Sequence, residues 1–272
     1  MSRDGAAPDA LDVSRPNSAR MYDYFLGGAQ NFAADREAAE LAASAFPHIR
    51  ISTRINRSFL GRVVSYLTSQ GIDQFLDLGS GIPTVGNVHE VAHRHNPDAR
   101  VAYVDHEPVA VAHARRLLAD HERITITQAD IRRPADVLTA PGVAGLLDFS
   151  RPIAVLAVAI LHFLPDTDDP RGMLAAYRAA CVPGSHLVIS HGCQLTLTDE
   201  QVDRFLAAYA RTPTPALFRE RSEIRTLMAG YRLVDPGLVL LPQWRPERPV
   251  GDAEAAASNI LGAVGVLPQS LP

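Results

Sequence analysis

The chain has 272 residues, 47% of them hydrophobic, which suits one large α/β domain or one domain with an added cap and allows a substantial core. Its net charge of −4 is too small to argue for an acidic or basic partner, and all 26 basic residues are arginines, scattered with no run resembling a nucleic-acid or lipid-binding patch. Two cysteines, Cys181 and Cys193, are too few for a disulfide framework or a metal cluster and read as buried thiols.

Residues 1–16 are polar, rich in Ala, Asp and Pro, and read as a loose tail with no apolar stretch that would make a signal peptide. Helices are expected at 18–26, ended by Gly27-Gly28, at 33–46, stopped by Pro47, and at 53–69, where Ile55, Phe59, Val63 and Leu67 recur at helical spacing. Aromatic residues make up only 6% of the chain, so Tyr22, Tyr24 and Phe25 within the first helix stand out. The pattern then changes. QFLDL at 74–78 is a short apolar strand running into a glycine turn, and 86–95 is the helix after it. RVAYV at 100–104 is a second strand, closed by Asp105 and followed by a helix at 108–120. ITITQ at 124–128 is a third, followed by Asp130. IAVLAVA at 153–159 is a continuous apolar run of the kind that suits a parallel strand buried on both faces. A helix at 173–181, a fifth strand at 186–190 and helices at 200–211 and 221–229 follow, then a hairpin-like strand pair at 232–234 and 239–241. Strands alternating with helices predict a doubly wound, mostly parallel α/β sheet. The expected division is a helical lid at 17–70, a Rossmann-like core at 71–250 and a C-terminal tail at 251–272. The longest apolar run, 153–161, is too short for a bilayer, so a cytoplasmic protein is expected.

FLDLGSGIPT at 75–84 carries the strongest local signal. A buried strand ends at Asp77-Leu78, and Gly79, Ser80 and Gly81 make a turn that lets the backbone approach a ligand. In an open parallel sheet, ligands bind beyond the carboxyl ends of the strands, where this turn lies. Asp105, closing the next strand, can accept hydrogen bonds from both hydroxyls of an adenosine ribose, and Asp130 can meet the adenine amino group. A dinucleotide fingerprint needs a third glycine where Thr84 stands, and a Walker phosphate loop needs a lysine that the chain lacks. S-adenosylmethionine carries no phosphate and needs one glycine turn, one ribose acid and one adenine contact, all present in that order. The bland alternative is that Asp105 and Asp130 only cap the helices after them.

FLDLGSGIPTVGNVHEVAHRHNPDARVAYVDHEPVAVAHAR resembles the core of a family of S-adenosylmethionine-dependent methyltransferases common in actinobacteria, long catalogued as a domain of unknown function. RPNSARMYDYFLGGAQNFAADREAA is similar to that family's N-terminal signature, and RINRSFLGRVVSYL and LPQWRPE match as well, so the resemblance spans about residues 14–248. It implies a class I methyltransferase fold, a sheet whose last strand is antiparallel, which the late strand pair would supply. Carried across by position, Asp77, Gly79, Ser80 and Gly81 would line the methionine part of the cofactor, Asp105 would hold the ribose, and His106 would flank the adenine. Asp130 and Ile131 would meet its edge, and Ala159, within 157–161, would form the floor beside the transferred methyl. GAVGVLP at 262–268 lacks the basic residues expected after such an ending, which leaves the tail without a role.

Methyl transfer needs a general base only if the acceptor must lose a proton early, and no diagnostic dyad is visible. His162, after the fourth strand, is the candidate base, with a loop-bonded structural histidine as its alternative; His191 follows the fifth strand at the same edge. His89 and His93 have an i,i+4 metal spacing but no third ligand, so a solvated face is the expectation. Residues 18–60 precede the first strand and can lie over the strand ends as a lid. Tyr22 and Tyr24 would face the cofactor or acceptor, and Asn31, Asn56 and Arg57 would bind a carboxylate. The function expected is methylation of a small-molecule acceptor, with no nucleic acid, membrane or metal involved. A non-catalytic cofactor-binding module and a nicotinamide-dependent oxidoreductase are the alternatives.

Overall fold

QFLDL, β1 (Gln74–Leu78), is buried along its whole length, as a strand must be when helices cover both faces of its sheet. The computed structural model describes residues 12–83, 86–119 and 121–269. Its sheet also contains β2 (Arg100–Asp105), β3 (Ile124–Gln128), β4 (Ala154–Val158), β5 (His186–Gly192), β6 (Arg232–Leu233), β7 (Val239–Leu240) and β8 (Ile260–Val266). The strand order is β3-β2-β1-β4-β5-β8-β6, with β7 also paired to β8. β1 to β5 are mutually parallel, and β8 runs antiparallel to β5, β6 and β7.

Alternate strand residues feed two cores, as the two-residue period requires. Leu76, Leu78, Val155 and Ile189 face one side with Met173, Leu174 and Tyr177 of the helix Pro170–Ala179. Phe75, Val101, Leu156 and Val188 face the other, beneath Phe59, Val63 and Leu67. Those three lie one helical turn apart on α3 (Ile49–Ser69), which starts before the expected 53. A third cluster joins α1 (Ser18–Phe25) and α2 (Ala33–Ala45) to the helix Asp199–Tyr209, through Met21, Phe25, Ala38, Ala42, Phe205 and Tyr209. α1 and α2 thus form a cap that shares its hydrophobic cluster with the helix Asp199–Tyr209.

Two sequence expectations are corrected here. Segments 232–234 and 239–241 do not pair as a hairpin; each pairs with β8. And the segment 251–272, expected as a tail, supplies β8 itself, the antiparallel strand between β5 and β6. Its glycines are packing sites. A Cβ on Gly262 would stand 2.4 Å from Leu241 Cδ2 and 3.1 Å from the Ile189 carbonyl oxygen, and one on Gly265 would meet Tyr231 Cβ at 2.7 Å. Gly262→Ala should therefore destabilise the protein by about 1–3 kcal/mol through overpacking, read as a lowered urea midpoint with an unchanged slope.

Candidate functional site

The carboxyl ends of β1, β2 and β4 converge on one cavity. Gly79 and Gly81 hold φ of +70° and +65°, a backbone open to glycine at little cost. The amides of Gly79 and Ser80 donate to the Val104 carbonyl at 2.8 and 3.1 Å, tying the turn to β2. A Cβ on Gly79 would strike Ile160 Cγ1 at 2.5 Å, whereas one on Gly81 would meet nothing within 4 Å: the turn packs on one side and faces open space on the other. The Gly81 amide donates to Asp105 Oδ2 at 2.7 Å, and the Glu107 amide donates to Oδ1 at 2.8 Å, so Asp105 is locked at the rim of the turn. The cavity these groups border holds about 810 Å³ of space, its open mouth included. Burial pushes the Asp77 carboxyl up to about 7, with the Arg57 guanidinium opposing the shift and Asp105 adding to it.

The cap supplies the opposite wall through Asn17, Tyr22, Asp23 and Leu26. Asn17 caps α1 by accepting from the Ala19 amide at 2.8 Å, and its side-chain amide donates to Glu107 Oε2 at 2.6 Å. Arg20 donates from Nε to both Asp35 oxygens, at 3.0 and 2.9 Å, and from Nη1 to Glu107 Oε1 at 3.1 Å. This ion pairing is buried: Arg20, Asp35 and Glu107 are 2%, 0% and 6% exposed. It joins α1, α2 and the end of β2.

A second polar chain joins α1 and α3 to the strands. Asn56 Nδ2 donates to Tyr22 Oη at 2.9 Å, Ser190 Oγ donates to Asn56 Oδ1 at 2.6 Å, and the Ala159 amide donates to Ser190 Oγ at 2.8 Å. Ala159 holds φ +56°, a strained backbone for a residue with a Cβ, at the point where β4 meets the cavity.

Behind Ala159 lies an apolar chamber of about 580 Å³, open mouth included. His162 is on its wall, and burial, reinforced by His191 and Arg219, pushes its imidazole down to about 3. His162 stays neutral near pH 7 and is a weak proton acceptor. His191 is fully buried, with Arg219 Nη1 donating to its Nε2 at 2.9 Å and its Nδ1 2.7 Å from the Gly192 carbonyl. Arg219 also donates to the Leu161 and Leu164 carbonyls at 3.0 and 2.8 Å, so the pair fixes the loop that carries His162.

The structure thus brings Asp77, Gly79, Ser80, Gly81, Asp105, His106, Ala159, Tyr22, Asn56 and Arg57 to the cavity wall. Six expected residues stand elsewhere, His162 on the chamber wall among them. Asp130 pairs with Arg132 Nη2 at 2.6 Å and does not line the cavity, and Ile131 is in the core beneath the sheet. Tyr24 faces outward, donating to Glu40 Oε1 at 2.5 Å under the Arg50 guanidinium. Asn31 closes the Gly27-Gly28 turn by donating to Asp23 Oδ2 and the Gly28 carbonyl, both at 2.9 Å. His191 is behind the wall. Thr84 lies outside the described residues. His89 and His93 are engaged by Tyr103 Oη at 2.7 Å and the Ala99 carbonyl at 2.9 Å, and no metal-binding group occurs among the described residues. Sequence reasoning missed Asn17, Glu107 and Phe163, which also line the cavity. Asn17 and Glu107 each precede a helix, a local signal for a cap and nothing more.

The sequence and fold match known proteins. Residues 4–268 fit the model of a family described as S-adenosyl methyltransferase. A crystal structure of a candidate methyltransferase from Thermobifida fusca YX is 38% identical, with 97% of this chain and 100% of that one covered and a TM-score of 0.90. A DUF574-family protein from Streptomyces avermitilis is 35% identical, covering 95% and 100%, with a TM-score of 0.89. An O-methyltransferase family protein from Burkholderia thailandensis is 16% identical over 87% of this chain and 63% of its own, with a TM-score of 0.50, a likeness of fold alone. None of the curated protein sequences matches the chain.

Proposed function

The chain belongs to the S-adenosyl methyltransferase family, and from that premise we propose that it methylates a small-molecule acceptor, with the cavity at the ends of β1, β2 and β4 holding the cofactor. It is an S-adenosylmethionine-dependent methyltransferase of class I fold. The cofactor supplies an electrophilic methyl group on a sulfonium, so the protein's part is binding, orientation and exclusion of water.

The residues present fit that cofactor. Asp105 offers a fixed carboxylate for the ribose hydroxyls, and His106, about half exposed beside it, is placed to flank the adenine. Asp77 offers a carboxylate for the methionine ammonium, and Arg57 a guanidinium for its carboxylate. Gly79, Ser80 and Gly81 pass beneath without side-chain bulk, and Ala159 closes the floor. Tyr22 covers the pocket from α1, which is the lid role proposed for residues 17–70. Asp130 and Ile131 would reach the adenine only if the cavity extended past His106, and they carry less of the proposal. Ala159, Asn56 and Tyr22 hold the reacting end in place; His162 orients and stays neutral.

A nicotinamide dinucleotide fits less well. Its pyrophosphate needs the open N-terminus of the helix after the turn. Here Glu90 fills that end of the helix Val88–His95: its Oε2 accepts from the amides of Gly86 and Asn87 at 2.8 and 3.2 Å. That Glu90 already occupies the anion position is the observation that most favours a phosphate-free cofactor.

A small acceptor is supported by the cap, which joins α1 to β2 through buried ion pairs and leaves little room for a macromolecule over the strand ends. No helix among the described residues is long and apolar enough to cross a membrane; the thiols Cys181 and Cys193 suit work in the reducing cytoplasm. Incubating the protein and methyl-labelled S-adenosylmethionine with cell extract should place label, after chromatographic removal of the unreacted donor, in a dialysable product that forms only when the protein is present. Label confined to protein or nucleic acid would overturn the small-molecule reading.

A further inference from the structure

We propose that the apolar chamber behind Ala159 receives the acceptor, and that the acceptor is a neutral aromatic small molecule. This rests on the adjoining cavity being the cofactor site. Tyr22, Asn56, Ala159 and Phe163 line both spaces, so the two meet at the end of β4, where a transferred methyl would cross.

The chamber's composition selects its occupant. Its walls come from the cap, α3, the β4 and β5 ends, the helix Asp199–Tyr209, the segment before the helix Arg221–Thr226 and the start of β8, and none of its lining residues is Asp, Glu, Lys or Arg. An ionised acceptor entering it would lose hydration with no opposite charge to replace it, at a cost of several kcal/mol. His162 gives no such charge, since burial keeps its imidazole neutral.

Rings dominate the walls. Phe205 and Phe218 are stacked at 5.5 Å with 12° between planes, Phe205 and Tyr209 are 5.0 Å apart, and Tyr209 and Phe163 are 5.7 Å apart. Ring faces and edges of this kind favour a planar aromatic guest over a flexible chain. Tyr22 and Asn56 are polar side chains shared by both spaces, so a single heteroatom on the guest finds hydrogen-bonding partners where the methyl would arrive, while its ring stays among the phenyl groups. The reaction this places there breaks the sulfonium C–S bond, whose electron pair stays on sulfur, and forms a bond from the methyl carbon to the acceptor heteroatom, which then releases its proton to solvent.

The test uses the full chain saturated with S-adenosylhomocysteine and calorimetric titration of matched probes at neutral pH. Aniline, indole and 1-naphthylamine are the neutral set; benzoate, indole-3-carboxylate and 1-naphthoate carry the same rings as anions. The neutral set should bind at least about tenfold more tightly. Ala216→Phe, which fills the chamber, and Phe218→Ala, which removes a wall, should each weaken the neutral probes by about tenfold or more while leaving S-adenosylhomocysteine affinity unchanged. The wild-type comparison of neutral and anionic probes decides the matter even if a variant fails to fold. Anions binding as tightly as their neutral partners, no binding by any neutral probe, or neutral binding indifferent to both folded variants would overturn the proposal. If S-adenosylhomocysteine itself fails to bind, the cofactor reading falls, and the acceptor proposal with it; if it binds and the neutral probes do not, only the acceptor proposal falls.

Discussion

Arg20→Ala is expected to destabilise the protein by about 3–5 kcal/mol, the cost of removing one partner from a buried ion pair. The guanidinium is 2% exposed and holds two carboxylates that are themselves buried, Asp35 and Glu107. Its Nη2 also donates to the Arg15 carbonyl at 2.6 Å, so the chain before α1 loses an anchor as well. Burial already raises the Glu107 carboxyl above its ordinary value, with Arg20 opposing that shift. Without Arg20 the penalty for an ionised Glu107 grows. The sign follows: a carboxyl raised on folding costs stability progressively as pH rises from its unfolded value towards its folded one, in full above that, and the cost is gone once pH falls below both and the group is protonated in either state. The deficit of the variant should therefore be largest near neutral pH and shrink under mildly acidic conditions. Urea unfolding at the two pH values reads it directly. S-adenosylhomocysteine should also bind more weakly, because α1 carries Tyr22 to the cavity wall.

Asp77→Asn should have the opposite effect on stability. Asp77 is 7% exposed, and burial raises its carboxyl from 3.8 to about 7. The folded state therefore holds a proton that the unfolded chain has released, and wild-type stability falls as pH rises from about 4 to about 7, by up to about 4 kcal/mol in all. Asparagine has no charge to bury. The variant should match the wild type at the acid end of that window and exceed it above neutral pH. Its affinity for S-adenosylhomocysteine should fall about tenfold or more, because the carboxylate proposed to face the methionine ammonium is gone. Stability gained and affinity lost by one substitution is what a charge held ready for a ligand produces. A parallel pH series of urea midpoints, with a calorimetric titration at neutral pH, separates this from a purely structural role, which would leave the affinity unchanged.

How far the molecule was legible in its sequence depended on how local each signal is. β1, its glycine turn and Asp105 were readable because a short apolar strand, two glycines and a strand-end acid fix one another within a few residues of backbone. Tyr22 and Tyr24 were grouped, yet a helix points residues two apart in different directions; Tyr22 reaches the cavity and Tyr24 pairs with Glu40. Helical phase alone would have separated them. The Arg20–Glu107 pairing spans 87 residues and has no local signature, so the joint between cap and sheet was invisible. β8 was not legible as a strand because its fit is set by distant residues: Leu241 and Tyr231 press against Gly262 and Gly265, contacts that leave no local pattern in GAVGVLP. Asp130 stands just after β3, where its carboxylate accepts from Arg132, a pairing that strand spacing alone does not reveal.

The central claim is that the cavity beyond β1 and β2 binds S-adenosylmethionine through Asp105. Calorimetric titration of S-adenosylhomocysteine into the wild type and into Asp105→Ala, with circular dichroism confirming a common fold, tests it most directly. Loss of two hydrogen bonds from a charged acceptor to the ribose should weaken binding by at least about a hundredfold. Equal affinity in the two proteins, or no binding by the wild type, would contradict it.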